Sequence, residues 1–242
     1  PVGQKVDSYF GFLGGTEKKT AVIEMAAAAG LRLVPRDQRN PELTTTYGVG
    51  ELIKLALDEG AERILFGCGD SGTNDAGIGL AQALGVSFKD EDGNELGFGS
   101  CNIPKLHLID MSNVDKRLAH VQIDAALNHK NILCGSNGVS RVYGPQKGSS
   151  PEQVEEMSAA LDHFATVVQR DVGKDVALID GGGASGGLGS GIFAFLGGSL
   201  HPRFNIIMHY LGECPRLCVF LLHTVCSNSS SALARIIETI QD

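Results

Sequence analysis

The sequence has no surplus of positive charge: 20 Lys and Arg stand against 28 Asp and Glu, a formal net charge of −8 over 242 residues. A chain that binds nucleic acid or an anionic membrane needs cations to neutralise phosphates, so neither partner is expected. Long apolar runs are also missing. The longest, Gly186 to Leu200, is interrupted by Gly and Ser and falls short of the roughly 18 residues that span a bilayer. No charged segment followed by an apolar one opens the chain at Pro1, so a secretory leader is not expected, and the missing Met marks a fragment. Six cysteines without a CxxC pair are too sparse for a disulfide scaffold, which points to reduced thiols and a cytoplasmic protein. Proline is scarce at 8, and no collagen-like period accompanies the glycines. The GxxxxGK[ST] phosphate loop is absent, so ATP chemistry of that kind is excluded.

What is abundant is glycine, 32 residues, in a chain that is 43% hydrophobic and 20% charged. Such a composition folds around a real core with glycine-rich turns as a theme. The opening residues read as short strands around a Gly14-Gly15 turn, followed by the apolar run of Val22, Ile23 and Met25. Thr44 to Thr46 offer N-cap hydroxyls to a helix whose apolar face is Leu52, Ile53, Ala56 and Leu57, with Gly60 placed at its C-terminus. "ERILF" is a buried strand, then comes a glycine turn from Gly67, the helix "DAGIGLAQALG" and the strand start "VSF". Residues 90–100 are acidic and turn-rich, the pattern of a solvated hairpin region. Ser150-Pro151-Glu152-Gln153 is a capping box with Pro at N1, and Val154, Met157, Leu161, Phe164 and Val168 mark one face of a helix ending near Gly173. "DVALID" is then expected to be a strand that runs into "GGGASGGLGSG", in which seven of eleven residues are glycine.

Four constellations could carry chemistry. In "GCGDSGTNDAG", a strand-to-helix loop with small side chains could gather backbone N–H groups around a phosphate or carboxylate. Gly67, Gly69 and Gly72 spell GxGxxG with Asp90 18 residues further on, the outline of a dinucleotide fingerprint and of a nicotinamide-dependent oxidoreductase. Helix capping by Thr73, Asn74 or Asp75 is the competing explanation. In the second, Arg141 and Lys147 sit among Gly135, Gly138, Gly144 and Gly148, which suits phosphate groups, although Lys147 also reads as an ordinary exposed lysine ahead of a helix. The loop 181–191 could wrap phosphates or let a helix pack tightly on a sheet. Cys214, Cys218, His223 and Cys226 could be drawn as zinc ligands, but the spacing fits no familiar pattern and the stretch is apolar, so buried thiols are the preferred reading.

Taken in order, "TAVIEMAAAAGLRLVP", "NPELTTTYGVGELIKLALDEGAERILFGCGDSGTNDAGIGLAQALGV", "ILCGSNGVSRVYGPQKGSSPEQV" and "GGGASGGLGSGIFAFLG" resemble the central region of the glycerate kinase family, of the bacterial ATP-dependent type. The resemblance runs over residues 1–208, and "GDSGTND" together with "YGPQKG" makes it specific. Residues 209–242 form a divergent tail with no match to the family's "TGEG" type motif, and the family's N-terminal "ADGGEG" type motif precedes the point that matches Pro1. Asp70 and Gly72 stand where glycine and alanine are common in the family, and Asn128 where aspartate is often found.

The resemblance implies an α/β fold of two α/β domains, this chain covering mainly the inserted domain plus part of the outer one. It implies transfer of the ATP γ-phosphate to a hydroxyl of D-glycerate, with 2-phosphoglycerate the favoured product and Mg²⁺ as cofactor. Asp75 would then be the catalytic base or a Mg²⁺ contact, and Lys147 would balance phosphate charge. Ser71, Thr73, Asn74, Arg141, Gln146, Gly182, Gly183, Gly186 and Gly187 would bind substrate or phosphate. A homodimer is compatible with this reading, and a truncated, non-catalytic homologue is the alternative outside enzymes.

Overall fold

The computed structural model describes residues 1–211. A hairpin of β1 (Gly11–Phe12) and β2 (Thr20–Glu24) opens the chain, turning at Gly14-Gly15 as its glycines dictate, with Gly15 at φ +70°. A short helix α1 (Ala26–Ala29) leads to α2 (Tyr47–Asp58), whose expected apolar face of Leu52, Ile53, Ala56 and Leu57 is buried. Next come β3 (Arg63–Gly67), α3 (Ile78–Ala83) and a separate antiparallel pair, β4 (Ser87–Lys89) with β5 (Leu108–Asp110). The chain returns through β6 (Gln122–Leu127), α4 (Val139–Tyr143), α5 (Pro151–Asp171) and α6 (Ala184–Leu196) to β7 (Ser199–Pro202) and α7 (Arg203–Leu211).

The main sheet has the order β1-β2-β3-β6-β7, with β1 antiparallel at one edge and the other four strands parallel. This is an α/β fold, and its central strands read as such. Ile64, Leu65 and Phe66 are all buried, so both faces of β3 are covered, the burial expected of a parallel sheet. Helix α5 follows its sequence signals closely. Ser150 Oγ accepts from the Gln153 amide at 3.3 Å, Gln153 Oε1 accepts from the Ser150 amide at 2.9 Å, and the predicted apolar stripe is buried. Among the described residues, no helix is long and apolar enough to cross a membrane.

Two expectations fail and one strand was not anticipated, each for a local reason. "DVALID" is not a strand: Leu178 is 65% exposed, and the carbonyls of Val176 and Ala177 are taken singly by Ser190 Oγ and the Cys134 amide. The place between β3 and β7 belongs instead to β6, a strand not expected from the sequence, whose apolar run is broken by a buried Asp124. That charge is met by Arg63 at 2.6 Å, Gln122 at 2.9 Å and His201 at 3.0 Å. The helix expected from Asp75 begins only at Ile78, because Ala76 (φ +54°) and Gly77 (φ +76°) are left-handed and break the turn before it.

The loop 181–191 resolves towards packing. Ser185, Gly186 and Gly187 all have positive φ, which kinks the chain at the head of α6, and the Ala76 amide donates to the Gly186 carbonyl at 3.0 Å. A Cβ on Gly186 would lie 2.0 Å from the Thr73 carbonyl oxygen, so only glycine lets the two glycine-rich loops close on each other. Gly186→Ala is therefore expected to destabilise the chain by at least about 2 kcal/mol in urea unfolding, from a clash added to a strained φ. Ser150→Ala, which removes half of the capping box, is expected to lower stability by about 1 kcal/mol in the same measurement.

Candidate active site

Strands β3 and β6 are neighbours in parallel register, with Gly67 opposite Ala126, so the loops that follow them leave the sheet at the same end. Open α/β sheets bind ligands outside the carboxyl ends of their strands. At this end lies a cleft of about 370 Å³, within the range of small-molecule sites. Its walls are the loop after β3 (Cys68 to Ser71), the segment after β6 (Asn128, Asn131), the residues ahead of α5 (Tyr143, Gln146, Lys147), and Ala184 to Gly186. Leu31 and Arg203 complete it.

The loop after β3 is held from behind. Its Gly72 amide donates to the Ala29 carbonyl at 2.9 Å, and Thr44 Oγ1 donates to the Gly72 carbonyl at 2.9 Å. Asp75 is 1% exposed and does not face the cleft. Its Oδ2 accepts from the Thr46 amide at 2.7 Å, Thr46 Oγ1 at 2.9 Å and the Gly79 amide at 3.3 Å, and its Oδ1 accepts from the Gly77 amide at 3.2 Å. Burial pushes its pKa upwards, and these four donors, led by Thr46, oppose that shift. The cap residue of α2, Thr46, makes no side-chain bond within its own helix; its hydroxyl instead bridges Asp75 and the Leu80 amide.

Lys147 is not the exposed lysine that its neighbourhood suggests. It is 3% exposed, lines the cleft, and donates from Nζ to the Thr73 carbonyl at 2.6 Å. Burial lowers its pKa from 10.5 to about 8, while the negative charge of Asp75 pulls in the opposite direction. Asn74 is wholly buried and donates to Ser140 Oγ at 3.0 Å and to Met157 Sδ at 3.4 Å. Thr73 Oγ1, Asn74 Oδ1 and Ser185 Oγ are three of the seven buried side-chain atoms without a hydrogen-bond partner among the described residues, an expensive arrangement to find three times in this corner.

Of the residues singled out in the sequence, Ser71, Gln146, Lys147 and Gly186 meet in the cleft. Thr73, Asn74 and Asp75 stand behind its wall. Gly182, Gly183 and Gly187 are packing positions: Cβ atoms there would meet Ile179 at 2.7 Å, the Ile132 carbonyl at 2.0 Å and Ala76 at 2.8 Å. Arg141 is placed elsewhere, forked onto the Glu155 carboxylate at 2.6 and 3.1 Å and bonded to the Gly135 carbonyl. The dinucleotide fingerprint does not form either. The glycines of 67–72 do not open a helix, and Asp90 turns its carboxylate onto the amides of Asp92 and Asn94 in the β4–β5 region. Cys214, Cys218, His223 and Cys226 lie outside the described residues, and among those described no cluster of three or more His, Cys, Asp or Glu could hold a metal ion.

Three polar residues of the cleft were given no role from the sequence. Tyr143 donates its hydroxyl to Asn131 Oδ1 at 3.2 Å, Ser185 takes a left-handed φ of +55°, and Arg203 Nη2 donates to the Cys68 carbonyl at 3.0 Å. Asp70, also left-handed at φ +51°, lines the cleft and lies 3.5 Å from Arg32. Left-handed residues other than glycine are uncommon, and all three in the described chain (Asp70, Ala76 and Ser185) belong to the two loops that build this site.

The glycerate kinase family model matches residues 1–217. The chain is 47% identical over 211 residues to the glycerate kinase of Haemophilus influenzae, covering 87% of this chain and 55% of that protein. It is 45% identical over 207 residues to the glycerate 2-kinase of Escherichia coli, covering 86% of this chain and 54% of that protein. A crystal structure described as glycerate kinase 2 from Salmonella typhimurium superposes with a TM-score of 0.83 at 44% identity, over 86% of this chain and 55% of that one. The chain thus spans about half the length of the relatives it matches. A family model that spans most of the residues, and a parallel sheet that superposes on a solved relative, lead to one statement: the chain belongs to the glycerate kinase family.

Proposed function

We propose that the cleft at the carboxyl ends of β3 and β6 is the phosphoryl-transfer site of a kinase that moves the γ-phosphate of ATP to a hydroxyl of D-glycerate. The product is a phosphoglycerate, with 2-phosphoglycerate favoured; the E. coli relative carries the name glycerate 2-kinase. The observation that carries this reading is Lys147, a buried cation fixed by the Thr73 carbonyl on the wall of a small polar cleft, within a chain of this family. Phosphoryl transfer needs little covalent chemistry from a protein; it needs reactants held in line and charge neutralised on the moving group. The Lys147 ammonium supplies charge, and Ser71 and Gln146 offer a hydroxyl and an amide to substrate oxygens.

Asp75 acts by position in this scheme. Four donors already occupy its carboxylate, so neither a base nor a dedicated Mg²⁺ ligand fits it; it holds the loop that presents the Thr73 carbonyl to Lys147. The magnesium enters with the nucleotide, as part of the substrate.

Incubating the 242-residue chain with D-glycerate, ATP and Mg²⁺ is expected to yield ADP and phosphoglycerate, with the phosphate located by phosphorus NMR. A folded chain that binds substrates without turnover would instead be the non-catalytic homologue. Lys147→Met is expected to reduce kcat/KM at least about 100-fold, the loss typical of one group stabilising transition-state charge. Because the Lys147 pKa is lowered to about 8, phosphate affinity should decline about tenfold per pH unit above that value, well before an ordinary lysine would lose its proton. Stability should move the other way. Between about pH 8 and the unfolded value of 10.5 the unfolded state holds more protons, so stability rises with pH, and Lys147→Met should lose that rise in urea titrations.

A further inference from the structure

We infer that Arg203 is the second substrate cation of the cleft, its guanidinium gripping an oxyanion of the bound reactants alongside the Lys147 ammonium. The inference rests on the cleft being the substrate site just described, and it goes further by naming what holds the anionic end of a substrate.

Arg203 is the first residue of α7, directly after β7. Strand β7 pairs with β6 so that Leu127 lies opposite Pro202. Residue 203 therefore emerges at the same sheet end as the loops after β3 and β6, and it lines the cleft. One of its amino groups, Nη2, donates to the Cys68 carbonyl at 3.0 Å, which fixes the plane of the guanidinium and leaves its other N–H groups without a partner among the described residues.

Charge supplies the stronger argument. The chain is acidic overall, and four of its arginines have carboxylate partners: Arg63 with Asp124, Arg117 with Asp58 and Asp115, Arg141 with Glu155, Arg170 with Asp171. Among the described residues no carboxylate forms an ion pair with Arg203, and the carboxylate in the cleft, Asp70, is engaged by Arg32 at 3.5 Å. Among the described residues, this half-buried guanidinium is pinned by a neutral carbonyl and has no anionic partner, so an arriving anion can compensate its charge. Its planar fork matches a carboxylate or a phosphoryl group in bidentate fashion, which a lysine cannot do.

Calorimetric titration of the 242-residue chain with D-glycerate, inorganic phosphate and MgATP tests this, alongside Arg203→Met and Arg203→Lys. Arg203→Met should weaken at least one of the three by about tenfold or more, the loss expected for charge-assisted hydrogen bonds, and Arg203→Lys should restore only part of it. A loss confined to glycerate assigns the grip to the carboxylate; a loss for phosphate and MgATP assigns it to the phosphoryl group. To guard against a variant that fails to fold, the unsubstituted chain is treated with phenylglyoxal and read by peptide mass spectrometry. The ligand that depends on Arg203 should shield it, while Arg141 on its outer ion pair reacts at an unchanged rate. Affinities within about twofold for all three ligands and no shielding of Arg203 would overturn the inference, as would a folded chain that binds none of them. Glycerate turnover is a separate readout: oxyanion binding through Arg203 without turnover defeats the kinase reading alone, and turnover indifferent to Arg203 defeats this one alone.

Discussion

The carboxylate of Asp75 is the constraint around which the cleft is assembled. It is buried, it carries no cation in direct contact, and it survives in the interior because three backbone or side-chain donors converge on one oxygen and a fourth on the other. Those donors come from two places, the residue ahead of α2 and the start of α3. One side chain thus fixes a helix entrance, a helix start and the loop between strand and helix. The Thr73 carbonyl is aimed at Lys147 because Asp75, two residues later, cannot move.

Electrostatics then separate two kinds of cation. The surface pairs, such as Arg141 with Glu155, sit in water, where screening leaves them little energy. Lys147 is buried beside a carbonyl and in the field of Asp75, so its charge is costly to maintain and correspondingly strong towards a ligand in the cleft. In an acidic chain, a cation buried in a cleft makes that cleft a local site of positive potential.

Much of this was legible in the sequence, and the failures are instructive. The capping box at Ser150 and the stripe from Val154 to Val168 are local signals, and local signals survive folding unchanged. The glycine-rich loops were visible as composition, but whether glycine serves a ligand or a close approach depends on which backbone lies opposite. For Gly183, Gly186 and Gly187 that backbone is more than 50 residues away in the first case and more than 100 in the others. Strand β6 was hidden by Asp124, whose charge is tolerable only because Arg63, Gln122 and His201 surround it, and no window of sequence shows three such neighbours together. "DVALID" shows the reverse: ideal strand residues whose backbone found no neighbouring strand. Lys147 read as a surface residue because burial of a lysine is a tertiary decision.

Four of the hydrogen bonds that build the cleft join distant parts of the chain. Thr46 reaches Asp75 across 29 residues, Asn74 reaches Ser140 across 66, Lys147 reaches Thr73 across 74, and Arg203 reaches Cys68 across 135. Closing loops of that length is slow, and parallel strands cannot pair until the segments between them have collapsed. Helices such as α5 can form early from their own caps, while the cleft exists only once strands from both ends of the sheet have met. The site is therefore a property of the closed sheet and of no single segment, and any opening that parts these distant segments dismantles it.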